Sequence, residues 1–323
     1  MTRFLVAMLL AAACAGQVGI AAAQAWPSRP LRIVVPYPPG GGTDVVARTI
    51  AQKLAETIGQ SAIVDNRGGA NGIIGTDLVA KAKPDGYTVL VTIASHSINS
   101  TLYSKLPYDS EKDLAPVSLL AEYPFVLTVH PSLPAKSLKE FIAMGRARPD
   151  QLAYASSGMG SGPHLGMELL LMTANIRMTH IPYKGAGQVM ADHVSGQVPV
   201  FLNNFLAGMP MLKAGKLRAL AVTSPQRSSV MPELPAASEV VPGYTVTGWY
   251  GMWLPAGTPA PILNALHDGT VKALRSKEVS DRLSGEAAVI RATTPAQFSE
   301  FLAREEKKWA GVIKKTQLRF DSY

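Results

Sequence analysis

The stretch Pro36-Tyr37-Pro38-Pro39-Gly40-Gly41-Gly42-Thr43-Asp44 constrains this chain more than any other. Before it lies the apolar run Leu31-Arg32-Ile33-Val34-Val35, and after it Val45, Val46, Ile50, Leu54 and Ile58 recur at helical spacing. A stiff, proline-rich turn therefore joins a buried strand to a helix, with three glycines at the helix entrance. Glycine lets a ligand come close to the backbone. The first N–H groups of a helix lack internal partners and carry the positive end of its dipole. The loop suits a carboxylate or another small anion. A glycine-rich turn with no ligand is the other reading of the same residues. Asp44 would repel a carboxylate, so we assign it to loop architecture, capping the helix or bonding nearby amides.

Strand and helix patterns alternate along the whole chain, as in α/β folds built on parallel sheets. Strands are expected at 31–35, 61–64, 87–93, 125–129, 151–155, 179–182, 198–202, 217–223 and 248–254. Helices are expected at 43–58, 73–82, 137–147, 163–174, 186–195, 205–214, 260–274 and 295–315, the last an amphipathic helix over a core. Two strand patterns look like crossings between domains. One is Tyr123 to Pro131, bracketed by prolines; the other is Pro242 to Pro255, rich in glycine and aromatics. They divide the chain into a leader at 1–25, a discontinuous first lobe at 26–126 and 248–323, and a second lobe at 127–247.

The leader carries one charge, Arg3, an apolar run from Phe4 to Ala13, and the small-x-small triplet Ala23-Gln24-Ala25. It reads as a signal peptide cleaved before Trp26, with an uncleaved anchor as the alternative. The single cysteine, Cys14, falls inside it. The mature chain therefore has no disulfide, thiolate metal site or cysteine nucleophile. The formal net charge is +8. With no run of basic residues interleaved with aromatics, that balance suits small anions or mere solubility better than nucleic acid.

A second glycine-rich stretch, Ala155-Ser156-Ser157-Gly158-Met159-Gly160-Ser161-Gly162-Pro163-His164-Leu165, also follows a strand and opens a helix. Its hydroxyls and N–H groups could wrap an anion. Pro163 stands where a dinucleotide fingerprint needs its third glycine, and the first loop lacks the lysine of a phosphate-binding loop. Tyr183 and Lys184 sit in a third strand-to-helix turn. Asn203-Asn204 ends a strand, placed either to bond a ligand or to cap a helix. The six histidines show no metal-ligand spacing, no G-x-S-x-G elbow occurs, and no carboxylate pair stands out. No metal or other cofactor is expected. The rival enzyme reading is a hydrolase using Ser157 or Ser161 with His164.

Taken together, these motifs resemble the tripartite tricarboxylate transporter substrate-binding receptors, also called Bug proteins. Trp26-Pro27-Ser28-Arg29-Pro30, Pro36 to Asp44, Asn66 to Gly72, Lys83 to Thr88, Ser156 to Leu165, Ile181 to Gly185, Ala214 to Ser224 and Leu254 to Pro259 carry the resemblance in one order along the chain. It implies a periplasmic, non-enzymatic receptor with a two-lobed, type II-like binding-protein fold. Each lobe would be a mainly parallel sheet flanked by helices, with the ligand cleft between them. It implies capture of a small carboxylate by a monomer and delivery to a two-subunit membrane permease, with a sensor as the alternative partner. Carried over residue by residue, it places Tyr37, Pro38, Gly40, Gly41, Ala70 and Ser95 on the first-lobe wall. Ser156, Ser157, Gly158, Ser161 and His164 would face them, with Tyr183 and Asn203 nearby. Family members commonly have aspartate where Asn203 stands. An acid there could pair with an ammonium, so Asn203 implies a ligand without one, such as an aliphatic or aromatic dicarboxylate.

Overall fold

The computed structural model describes residues 26–321 apart from Glu286, so the leader lies outside the described residues. The chain opens with β1 (Leu31–Val35), α1 (Gly42–Ile58), β2 (Ala62–Asn66), α2 (Ile73–Ala80), β3 (Thr88–Ile93) and α3 (Ser95–Leu102). There follow β4 (Leu114–Val129), α4 (Leu138–Ala147), β5 (Ala153–Ser156), α5 (Gly162–Ala174), β6 (Thr179–Pro182) and α6 (Ala186–Val194). The last third holds β7 (Val200–Asn204), α7 (Phe205–Lys213), β8 (Arg218–Val222), β9 (Thr247–Pro255), α8 (Ala260–Leu274), α9 (Lys277–Ser284), β10 (Val289–Ile290) and α10 (Pro295–Thr316).

The strands form one mixed sheet in the order β2-β1-β3-β9-β4-β7-β5-β6, with β8 and β10 also on β4. The β1–β2, β1–β3, β5–β6 and β5–β7 pairs are parallel, as strand–helix–strand units require. The antiparallel pairs all involve β4 or β9. Strand β4 runs 16 residues. Its first part pairs with β9 and its last part with β7 and β8, so it belongs to both halves of the sheet.

Helices cover the sheet, so the parallel strands read as continuous apolar runs. Ile33, Val34 and Val35 of β1 and Val89, Leu90 and Val91 of β3 are fully buried. Helix α1 lays Val46, Ala47, Ile50 and Leu54 on the core and ends at Gly59, whose N–H bonds to the Ala55 carbonyl. It packs closely on α8: a Cβ on Gly269 would lie 2.9 Å from Leu54.

Helix α10 is the amphipathic element expected at 295–315. Phe298 and Phe301 pack on Trp249 at ring separations of 6.2 and 5.5 Å. Buried Glu305 accepts from the indole N–H of Trp249 (3.1 Å) and of Trp309 (2.9 Å), tying α10 to β9.

Three differences from the sequence reading have physical causes. Strand β4 begins at Leu114 and not near 125, because Pro116 and Pro124 sit inside it. The register against β9 shifts next to Pro116, which accommodates the missing donor. Helix α3 was not expected because Ser95, His96, Ser97 and Asn99 are polar, yet all four are buried. Helix α9 was not expected because only Val279 and Leu283 of its eight residues are buried.

Replacing Glu305 with Leu would strand two buried indole N–H groups. Urea denaturation should show a loss of about 2–4 kcal/mol, whereas Glu305→Gln, which keeps one acceptor oxygen, should lose less than half of that.

Candidate functional site

The first loop is held at both ends and left open in the middle. Asp44 Oδ2 accepts the Gly40 N–H at 2.9 Å. Its Oδ1 pairs with Arg48 at 2.9 Å. Arg48 donates in turn to Asn66 Oδ1 (2.9 Å), and Asn66 Nδ2 donates to the Tyr37 carbonyl (3.1 Å). Burial pushes the Asp44 pKa up, but Arg48 and the Gly40 amide outweigh this and hold it below the ordinary carboxylate value. Asp44 therefore binds a loop amide and does not cap the helix. The N-cap is Gly41, and among the described residues no side chain caps the start of α1. Pro38, Pro39, Gly40 and Gly41 are exposed. A 17-residue helix thus begins without a side-chain cap, next to an exposed turn.

Behind this loop, the Tyr37 hydroxyl bonds Thr92 Oγ1 at 3.1 Å and, at shorter range, Ser95 Oγ. Next to it, Gly69, Ala70, Asn71 and Gly72 have φ of 132, 48, 50 and 89°. Ala70 and Asn71 hold conformations that cost about 1–3 kcal/mol each and that cluster at ligand sites. The turn is fixed from outside: Asn71 Nδ2 donates to Asn99 Oδ1 at 2.9 Å, and Asn99 Nδ2 donates back to the Asn71 carbonyl at 3.1 Å.

The second loop, 156–161, meets this turn. Asn71 Nδ2 also lies 3.5 Å from the Gly160 carbonyl. Gly160 has φ +71°, and a Cβ there would stand 2.2 Å from Leu102. Within the loop, Ser156 Oγ accepts the Gly158 N–H (3.2 Å), and Gly158 O accepts the Ser161 N–H (3.2 Å). Ser161 caps α5 by accepting the His164 N–H.

A row of aromatics lies between the two helix entrances. A Cβ on Gly42, at the start of α1, would be 2.8 Å from the Tyr250 hydroxyl; one on Gly162, at the start of α5, would be 3.2 Å from Phe125. Tyr123 bridges them, 4.8 Å from Tyr250 and 5.6 Å from Phe125 between ring centres. Tyr123 and Phe125 come from β4 and Tyr250 from β9, so the floor between the helix ends is built by the two central strands.

Two helix entrances resting on one row of aromatics suit an anion with an apolar body. Residues 46–318 match the model of the tripartite tricarboxylate transporter family receptor. The chain belongs to this family. It is 37% identical to protein BugT of Bordetella pertussis over 319 residues, 98% of each chain. The solved structure of Rpa4515 from R. palustris with adipate is 36% identical, with a TM-score of 0.83, covering 90% of this chain and 97% of that one. MatC from Rhodopseudomonas palustris with bound malate is 33% identical, with a TM-score of 0.81, covering 89% and 100%. The receptor is thus a two-lobed α/β binding protein and not an enzyme.

Several expected site residues prove to be internal to the loops. Ser95 and Ser156 are 3% and 0% exposed, and their hydroxyls bond Tyr37 and His180. They are buried and bonded within the protein, so they shape the walls. Gly40 contributes a bend but not its N–H, which Asp44 holds. His164 is 1% exposed, and its Nδ1 accepts the Gly160 N–H at 3.0 Å. His164 is therefore no base for Ser157 or Ser161: the ring is buried, Nδ1 accepts the Gly160 N–H, and Nε2 carries the proton. Ser156 and His180 are 2.7 Å apart, but the serine is inaccessible.

The Tyr183 hydroxyl donates to Asp192 at 2.7 Å, and burial, with Asp192 beside it, pushes its pKa up to about 12. Its backbone N–H bonds the Ser156 carbonyl, so Tyr183 adjoins the second loop. Asn203 is buried with Nδ2 3.8 Å from Met190 Sδ, and Asn204, not Asn203, caps α7. Of the expected residues, Pro38, Gly40 and Gly41 are exposed, and Tyr37, Ala70, Ser157, Gly158, Ser161 and Tyr183 are half-buried.

Sequence reasoning missed Asn71, Asn99, His180 and the Tyr123–Phe125–Tyr250 floor. The aromatics were visible as the composition of the two crossing strands. Nothing in the spacing of Asn71 and Asn99 pointed to their pairing.

Burial holds His96, His180 and His193 near pKa 4, and burial with repulsion from His180 holds His164 near 3. The unfolded chain, with its histidines near 6.5, therefore binds more protons than the folded one between about pH 4 and 6.5. Stability should be full above pH 6.5 and fall on acidification through that window, by roughly 1–2 kcal/mol per histidine at pH 5. Thermal denaturation at pH 7.5 and pH 5 checks this, and replacing His193 with a hydrogen-bonding neutral residue should flatten the profile.

Proposed function

We propose that this chain is the exported receptor of a tripartite transporter. It captures a small dicarboxylate, aliphatic or aromatic, by lobe closure and passes it to a two-subunit membrane permease. The observation that carries this reading is the N-terminus of α1, which has no side-chain cap at exposed Gly41, together with the neighbouring turn at Asn71, which meets the loop 156–161 at Gly160. The positive end of the helix supplies attraction, and backbone N–H groups in a site closed to water supply strong charge-assisted hydrogen bonds. No fixed cation is needed. The aromatic floor suits the carbon chain of the ligand.

In this reading the lobes are 26–126 with 248–323, and 127–247, and β4 and β9 are the crossings about which they close. The leader at 1–25 directs the chain to the periplasm, where it acts as a monomer. One carboxylate sits at Gly41, Pro38 and Ala70, below the Tyr37 ring. The second-lobe donors come from Ser157, Gly158 and Ser161. Tyr183 and Asn203 border the far side, and the neutral amide of Asn203 lacks the charge that would pair with an ammonium. The bound adipate and malate of the two relatives support an acid without a positive charge as the ligand class.

A thermal-shift panel of adipate, malate, an aromatic dicarboxylate, aspartate and glutamate tests the reading. A ligand present at a hundredfold its dissociation constant should add about 2.7 kcal/mol of stability. Preference for an amino acid over every simple dicarboxylate would sink the assignment of Asn203. Gly41 has φ −76°, and a Cβ there meets only the Pro38 carbonyl at 3.8 Å. Gly41→Val should therefore fold, with a Tm lowered slightly because valine is a poorer N-cap than glycine, and bind at least tenfold more weakly. Normal binding by that variant would move the site elsewhere.

A further inference from the structure

Behind the second loop lies a column of rings. The Tyr154 ring stacks on His180 at 4.9 Å, with 21° between planes. His180 stacks on His164 at 3.9 Å and 12°. At one end of the column the Tyr154 hydroxyl bonds the Glu168 carboxylate of α5. The column thus crosses from β5 through β6 to α5.

Each imidazole spends one nitrogen on the loop. His164 Nδ1 accepts the Gly160 N–H at 3.0 Å, so its proton sits on Nε2. His180 Nε2 is 2.7 Å from Ser156 Oγ. The serine has a single proton and three partners: the Gly158 carbonyl at 3.0 Å, the Gly158 N–H at 3.2 Å and His180. All three are satisfied only if the serine donates to the carbonyl and His180 donates to the serine. One imidazole therefore acts as acceptor and the other as donor, and together they hold Gly158 and Gly160. Both glycines have positive φ, 143 and 71°. The loop could relax to other shapes if its amides were released.

We propose that His164 and His180 are positioning residues, which set the ligand-binding form of the 156–161 loop through Gly160 and Ser156 without touching the ligand. This rests on the receptor reading above. A stack this tight could serve packing alone, and the two roles differ in what phenylalanine can replace. Phenylalanine keeps a ring in the column but removes the nitrogen. Asparagine at 164 keeps an acceptor oxygen at the place of Nδ1, and glutamine at 180 keeps an N–H donor at the place of Nε2.

The test uses His164→Phe, His164→Asn, His180→Phe and His180→Gln in the full mature chain. Two readings are taken: amide hydrogen exchange over 156–162 without ligand, and affinity for whichever of adipate and malate binds the wild type better. Both phenylalanine variants should exchange at Gly158 and Gly160 at least tenfold faster and bind at least tenfold more weakly. Asparagine and glutamine should bring both readings within about threefold of wild type.

Phenylalanine variants that bind and exchange like wild type would show packing alone and overturn the proposal. So would asparagine and glutamine variants that stay impaired. If a phenylalanine variant fails to fold, the asparagine or glutamine variant at that site decides by the same criterion. A wild type that binds no dicarboxylate would instead reject the receptor reading, while hydrogen exchange would still decide whether the imidazoles hold the loop.

Discussion

Strand β4 pairs with β9 along its first part and with β7 and β8 along its last. The relation between the two glycine loops is inherited from that shared strand. Tyr123 and Phe125 stand where its partners change, and β9 adds Tyr250 beside them. The entrances of α1 and α5 rest on this row through Gly42 and Gly162, positions at which a side chain would collide with an aromatic ring or its hydroxyl. A strand common to both halves has to be held firmly, and the Trp249–Glu305–Trp309 tie of α10 to its neighbour β9 does this.

Over this floor the loops are prepared in different ways. The first is clamped by charges and an amide, Asp44, Arg48 and Asn66, which take up the outlying polar groups and leave the helix end open. The second is clamped by neutral rings. Charged clamps suit an exposed loop, where water screens them. A buried clamp must be neutral, because desolvation of an imidazolium is costly, and His164 and His180 are held in the neutral form.

The chemistry of this receptor is thus carried more by backbone than by side chains. That explains why catalytic patterns are missing from a chain with six histidines and many serines. Ser156 and Ser161 of the second loop, the buried His96, His164 and His193, and half-buried His180 are engaged in holding backbone or in packing. It also explains why several residues expected to touch ligand lie one layer behind it. A motif that preserves a loop conformation looks, in sequence, the same as one that preserves contacts.

Much of the fold was legible in the residues themselves. Apolar runs such as Leu31–Val35 and helical spacing such as Val46, Ile50 and Leu54 respond to local geometry and to burial on one side, and they located most elements to within a few residues. The proline-bracketed segments pointed to the strands that join the halves, and the glycines at 40–42 and 158–162 to the loops. Elements that depend on distant partners were not legible. Helix α3 is polar yet buried, the start of β4 is masked by Pro116, and the Asn71–Asn99 pair joins residues far apart in sequence. The sequence by itself determined the strand-to-helix loops and the anion-receptive helix end, because these follow from local backbone chemistry. Only the tertiary structure decided which hydroxyls and imidazoles face the cleft and which support it, because that depends on which polar groups the packing leaves without a partner.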